Sequence, residues 1–267
     1  MWTIFTRILK DRRLLILIYT FSTVAFLWMY VGFFPSFKDQ TASIEQMMSS
    51  YPESLMKAFN IDLKSFSTVE GFVATEQFSF VWPIIVIFML VGFAGAAFSG
   101  EVEKGTVELL LAQPISRIKI FIARYLAGIS MLIFFVTLSI FALMPLCKIY
   151  DIALTTDHIY SMGLLSFLFG LAIYSIAMFL SSVFSDKGKV YFISGGILVL
   201  MYVLNILAGI KENLSDLKYG SFFYYFNPTK ALVYGDIDRW SYLIFLGTAV
   251  ILFILSLIWI SKRDVTT

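Results

Sequence analysis

Apolar residues in this chain gather into six long runs, set apart by stretches where charge, proline and glycine collect. A hydrocarbon core about 30 Å thick needs roughly 20 apolar residues in a helix. The runs at about 14–34, 79–99, 118–145, 161–184, 190–210 and 241–260 reach that length, with ends uncertain by about 2–4 residues. Period-two alternation, the mark of a membrane-spanning strand, is absent. No water satisfies backbone groups in lipid, so each run is predicted to be a helix. The expected fold is all-α and integral to a membrane, with six transmembrane helices.

The polar stretches predict the remaining elements. In residues 1–13, Trp2, Phe5, Ile8 and Leu9 fall on one helical face, and Thr3, Thr6, Arg7 and Lys10 on the other. That pattern predicts an interfacial amphipathic helix, lying along the membrane before the chain turns inward. Residues 35–77 form a loop too long for a simple turn; Leu55, Met56, Phe59 and Leu63 within it have nearly helical spacing, which predicts a short surface helix. Residues 211–240 hold an aromatic run, Phe222 to Phe226, that stops at Asn227-Pro228. The residue before a proline is pushed out of helical geometry, so the chain is expected to turn there. The run then either dips into the interface and returns or forms an aromatic belt.

Charge orients the spans. Arg7, Lys10, Arg12 and Arg13 precede the first run; Lys104, Arg117, Lys119 and Arg124 flank the second connection; Lys187 and Lys189 crowd the fourth; Lys262 and Arg263 follow the last. With six spans, all of these lie on one side, here termed the basic side. Lys and Arg favour the cytoplasmic side, so both termini are expected there, in a multi-pass protein of the cytoplasmic membrane. The opposite loops dilute their basic residues with acids such as Asp39, Glu45, Glu70 and Glu76. The first apolar run is too long for a signal peptide and lacks a convincing cleavage site, so it reads as a span.

Composition narrows the class. The chain has 267 residues, 59% hydrophobic and 14% charged, against about 45–50% and about 25% for soluble domains. A net charge of +2 gives no reason to expect nucleic acid. The single cysteine, Cys147, excludes an intramolecular disulfide and a thiolate metal cluster; it reads as a small apolar residue near a span end. No Asp, Glu, Lys or His lies near a span midplane, and Arg124 sits where it can snorkel. Ion-coupled carriers usually place ionisable groups in the membrane interior. His158, the only histidine, falls in a loop with no partner for catalysis. No catalytic or metal-binding residue is predicted, and no G-x-x-x-x-G-K-[ST] phosphate loop is present.

Two features remain. Gly92, Ala96 and Gly100 recur every four residues, a stripe that lets another helix approach closely. It is a candidate for packing within the bundle or for a dimer contact; Gly195-Gly196 is a weaker signal of the same kind. The second feature is Glu101 to Arg124, which carries three glutamates and four basic residues. Each such charge costs roughly 2.5–3.5 kcal/mol at a helix centre in the bilayer, so the segment belongs in water. Gly105 weakens a helix there, Pro114 ends it, and Ser116 is placed to cap the next span. A short helix between two spans is suited to receive force from a soluble partner.

At these residues the chain resembles a family. GEVEKGTVELLLAQPISRIKIFIARYL is similar to the intracellular loop of exporter-type (type 2) ABC transporter permeases: acidic-x-acidic-x-Gly-Thr-x-Glu-x-Leu-Leu, then Pro-x-Ser-Arg. YPESLMKAFNID, the EGF at Glu70–Phe72 and YYFNPTKAL extend the resemblance over nearly the whole chain. It implies one permease domain over 1–267, a dimer of membrane subunits (homo- or heterodimer), and separate cytoplasmic P-loop ATPase subunits that hold ATP and Mg; no cofactor is expected on this chain. It also implies a coupling helix at 100–117, with the motif on Glu101, Glu103, Gly105, Thr106, Glu108, Pro114, Ser116 and Arg117. Residues 1–13 would touch the ATPase, and 211–240 would hold an outer re-entrant turn at Asn227 and Pro228. The implied function is ATP-driven export of a lipid, peptide or drug-like compound. A non-transporting scaffold with an ATPase-like partner, or an ion-coupled carrier, is the alternative.

Overall fold

In a computed structural model of the chain, residues 1–38, 40, 46, 67–100 and 116–262 are described. Every regular element among them is a helix, and six helices are long and apolar enough to cross a membrane. In chain order, α1 is Trp2–Lys38. The second span, Val69–Gly95, comprises α2 (Val69–Val73), a π-helical stretch (Ala74–Val81) and α3 (Trp82–Gly95). The third comprises α4 (Arg117–Phe141) and α5 (Leu143–Ile149). The fourth is α6 (Asp157–Val183) and the fifth α7 (Lys187–Ile210). A 3-10 stretch, Glu212–Gly220, then leads to α8 (Phe222–Tyr225), α9 (Pro228–Val233) and the sixth span, α10 (Arg239–Lys262).

Local chemistry sets the helix ends. Ser116 caps α4 as its position suggests, accepting from Lys119 N at 3.4 Å. Asp186 Oδ1 caps α7, and Thr68 Oγ1 caps α2 by accepting from Gly71 N. Such caps satisfy backbone donors that a helix start leaves free. Gly235, at φ +69, closes the turn after α9; a side chain there would also strike the His158 ring at 2.6 Å.

Two boundaries differ from the sequence reading. The chain does not turn between residues 13 and 14, because α1 runs unbroken for 37 residues. No proline or glycine interrupts residues 2–31, so nothing local stops the helix. The second span begins at Val69, ten residues before the predicted start. The polar residues there find partners inside the fold: Glu70, buried, accepts from Thr155 N at 2.7 Å, and Gln77, fully buried, donates through Nε2 to Thr23 O at 3.2 Å. The π-helical turn precedes Pro83. A proline in a continuing α-helix would clash with the carbonyl four residues back; the wider turn, in which Trp82 N donates to Gln77 O, makes room. The short helix expected within 35–77 lies outside the described residues.

The second, third and fourth spans form the interior and the other three lie around them. α6 is central, packing on α3, α4, α9 and α10. Trp82, fully buried, donates from Nε1 to Ser139 Oγ at 2.9 Å and stacks on Phe226 at 5.8 Å. Phe226 in turn stacks on Phe169 at 4.3 Å. Thus Phe222, Phe223, Tyr225 and Phe226 are core residues rather than an aromatic belt; of the five, Tyr224 alone faces outward. Cys147 is buried, as its reading required.

Candidate functional site

Between the second and fifth spans lies a lateral cavity of about 500 Å³. Its walls are the faces of α3 at Pro83, Ile87 and Val91 and of α7 at Gly195, Leu198 and Val199, with Tyr19, Ser79, Tyr191 and Tyr202 supplying hydroxyls. Among the described residues, no charged side chain lines it. The sequence reading missed this feature, because apolar spans conceal which faces leave a gap. The signal that was available is the small-residue content of facing positions: neither Gly92 nor Gly195 has anything within 4 Å of where a Cβ would stand, and both line the void.

The cavity sits beside a break. α3 ends at Gly95, and the chain turns through residues 96–98 before it enters the charged segment. Ser181 on α6 fixes this turn. Its Oγ accepts from Phe98 N at 3.2 Å and from Ser99 N at 3.4 Å, and lies 3.1 Å from Ser99 Oγ. Ser99 Oγ already donates to Gly95 O at 2.8 Å, so Ser181 supplies the hydrogen between the two hydroxyls. The stripe Gly92–Ala96–Gly100 therefore does not form one straight helical face. Gly92 faces the cavity, Ala96 is the residue that caps the helix end, and Gly100 is buried beyond the turn. The close helix approaches occur elsewhere. A Cβ on Gly128 would lie 2.2 Å from the Tyr174 ring, and one on Gly170 would lie 2.6 Å from Leu132.

A polar cluster supports the basic-side end of the third span. Tyr174 Oη donates to Arg124 O at 3.0 Å. Tyr125 Oη lies 2.7 Å from Ser175 Oγ, whose own hydrogen goes to Leu171 O, so the tyrosine donates. Arg124 does not snorkel outward. It is buried with its guanidinium 4.9 Å above the Phe98 ring, a cation–π arrangement favoured where water is scarce. The turn at 96–98 thus rests on the third and fourth spans together.

Of the predicted coupling residues, Glu101, Glu103, Gly105, Thr106, Glu108 and Pro114 lie outside the described residues; Ser116 and Arg117 stand at the cap and first position of α4. Asn227 and Pro228 make a sharp joint between α8 and α9. Asn227 Oδ1 accepts from Lys230 N at 2.9 Å, and Pro228 takes the first helical position, where its missing N–H costs nothing. His158 is not a loop residue but the second residue of α6, packed against Gly235.

Six apolar helices around a largely uncharged interior define a multi-pass α-helical membrane protein. Residues 2–265 match the ABC-2 family transporter proteins, and the chain belongs to that family. It is accordingly a membrane subunit of a transporter, of a family that works with ABC ATPase subunits. No curated protein matches the chain.

Proposed function

We propose that this chain is the membrane-spanning subunit of an ATP-driven exporter that moves an apolar or amphipathic compound (lipid, peptide or drug-like) across the cytoplasmic membrane. The cavity carries this reading. About 500 Å³ is within the range of small-molecule sites, and a wall of aliphatic and aromatic side chains with a few hydroxyls suits an amphipath. A small ion would find no charge there to replace its hydration. The positions of Lys and Arg support cytoplasmic termini. ATP and Mg would be held by a separate P-loop ATPase pair. Closure of that pair would push the 100–117 element, through Glu101, Glu103, Gly105, Thr106, Glu108, Pro114, Ser116 and Arg117, and a rigid-body shift would change access to the cavity. The open face of the fifth span favours a second membrane subunit opposite.

The test begins with the tagged chain in mild detergent. A stoichiometric P-loop ATPase should remain bound, and Glu101→Ala, Glu103→Ala and Glu108→Ala together should weaken it. In proteoliposomes the complex should then move a fluorescent lipid or amphipath only with hydrolysable ATP. Efflux of a strictly hydrophilic ion, with amphipaths unaffected, would contradict the substrate class.

A further inference from the structure

The cavity is flanked at both ends by aromatic residues of the fifth span. Away from the basic side, Tyr202 meets Phe223 edge-on at 5.1 Å. On the basic side, Tyr191 lies over Gly95. A Cβ there would be 2.2 Å from its ring, and its Oη donates to Gly92 O at 3.4 Å. Few residues of this helix are buried. Val190, Ser194, Leu198 and Ala208 are the buried residues of α7, and added Cβ atoms at Gly195 and Gly196 would meet nothing within 4 Å. Gly95 is also the last residue of α3, directly before the turn at 96–98 that Ser181 pins.

We propose that Tyr191 against Gly95 is a latch: Tyr191 is the positioning residue that closes the cavity on the basic side and ties the fifth span to the end of the second. A ring can seat there only because position 95 has no side chain. Gly95 adjoins the pinned turn, so a displacement that carries the turn and its Ser181 contact moves Gly95 ahead of the rest of α3 and releases the ring. The use of the latch rests on the transporter reading; its existence does not.

The test uses the full chain in lipid nanodiscs, with Cys147→Ala and spin labels at Lys119→Cys and Lys189→Cys, on the basic ends of the third and fifth spans. A control pair at Lys119→Cys and Lys262→Cys reports on the sixth span. Tyr191→Ala and Gly95→Ala should lengthen and broaden the 119–189 distance by several ångströms, and Tyr191→Phe, which keeps the ring, should stay near the parent. The control distance should not change in any of them. If Gly95→Ala also disturbs the control pair, the fold has shifted and Tyr191→Ala alone decides. An unchanged 119–189 distance in Tyr191→Ala overturns the latch. A moved distance in a chain that shows no ATP-dependent flux keeps the latch and removes the exporter reading.

Discussion

The fourth and fifth spans are consecutive, joined by a short turn on the basic side, and equal in mean hydropathy. Yet the fourth is 67% buried along its apolar stretch and the fifth 17%. Hydropathy says that a helix crosses a membrane; it does not say what the helix touches. In lipid no hydrophobic force drives helices together, so packing decides. The fourth span carries Gly163, Ser166 and Gly170 in step, with Ser175 and Ser181 donating and accepting across helices. The fifth has a glycine pair open to space. One is built as a fixed post, and the other is held at few points.

The largest expected effect separates a buried from an exposed phenylalanine. Phe169 on the fourth span is fully buried between Phe226, Phe223 and Phe245. Phe169→Ala should cost about 2–3 kcal/mol, below the roughly 3–5 of aqueous cores because only the cavity part of the penalty survives in lipid. Phe192→Ala, 82% exposed on the fifth span, should change unfolding in mixed micelles hardly at all. Equal losses at both sites would erase the contrast.

Glycine substitutions come next. Gly128→Ala and Gly170→Ala should each destabilise by about 1–3 kcal/mol, since Tyr174 and Leu132 are fully buried and have nowhere to move. Gly195→Ala and Gly196→Ala should be neutral or stabilise by up to about 1 kcal/mol through helix propensity. Melting temperatures in one detergent would rank the four. Ser181→Ala removes the acceptor for two backbone N–H groups at the end of the second span. About 1–2 kcal/mol should be lost, and hydrogen exchange should quicken at Phe98 and Ser99 while the fifth span keeps its own rate.

The smallest effect is a titration. Tyr225, in the short helices that cover the fourth span, has its pKa raised above the ordinary 10.0, first by burial and then by Tyr224, Tyr219 and Asp238. A raised acid is favoured neutral in the folded state, so this contribution is complete below pH 10 and is lost as pH climbs past it. The Tyr225 contribution should be constant below that point and fall above it, so the loss of stability above pH 10 should be less steep in Tyr225→Phe.

Span number, helical class, family, the cap at Ser116 and the turn at Asn227-Pro228 were legible in the sequence because each has a local cause: run length, a short polar side chain, a proline. The ranking of spans by burial was not, since it depends on which small residues face each other across helices. Glu70 and Gln77 read as loop residues by polarity alone; their partners, Thr155 and Thr23, are 85 and 54 residues away in sequence. The cavity was illegible for a related reason: a void is a property of two surfaces, and the sequence shows one at a time.

The unbroken first helix has a mechanical consequence. Its 37 residues, at about 1.5 Å each, make a rod of about 55 Å, whereas the hydrocarbon is about 30 Å thick. Roughly 25 Å of rod remains to tilt or protrude. With no glycine or proline before Gly32, the rod does not absorb torque along that length, so a sideways push on Trp2 or Arg7 is carried like the force on an oar to the stretch held in the core, where Thr23, Leu27, Val31 and Phe34 are buried.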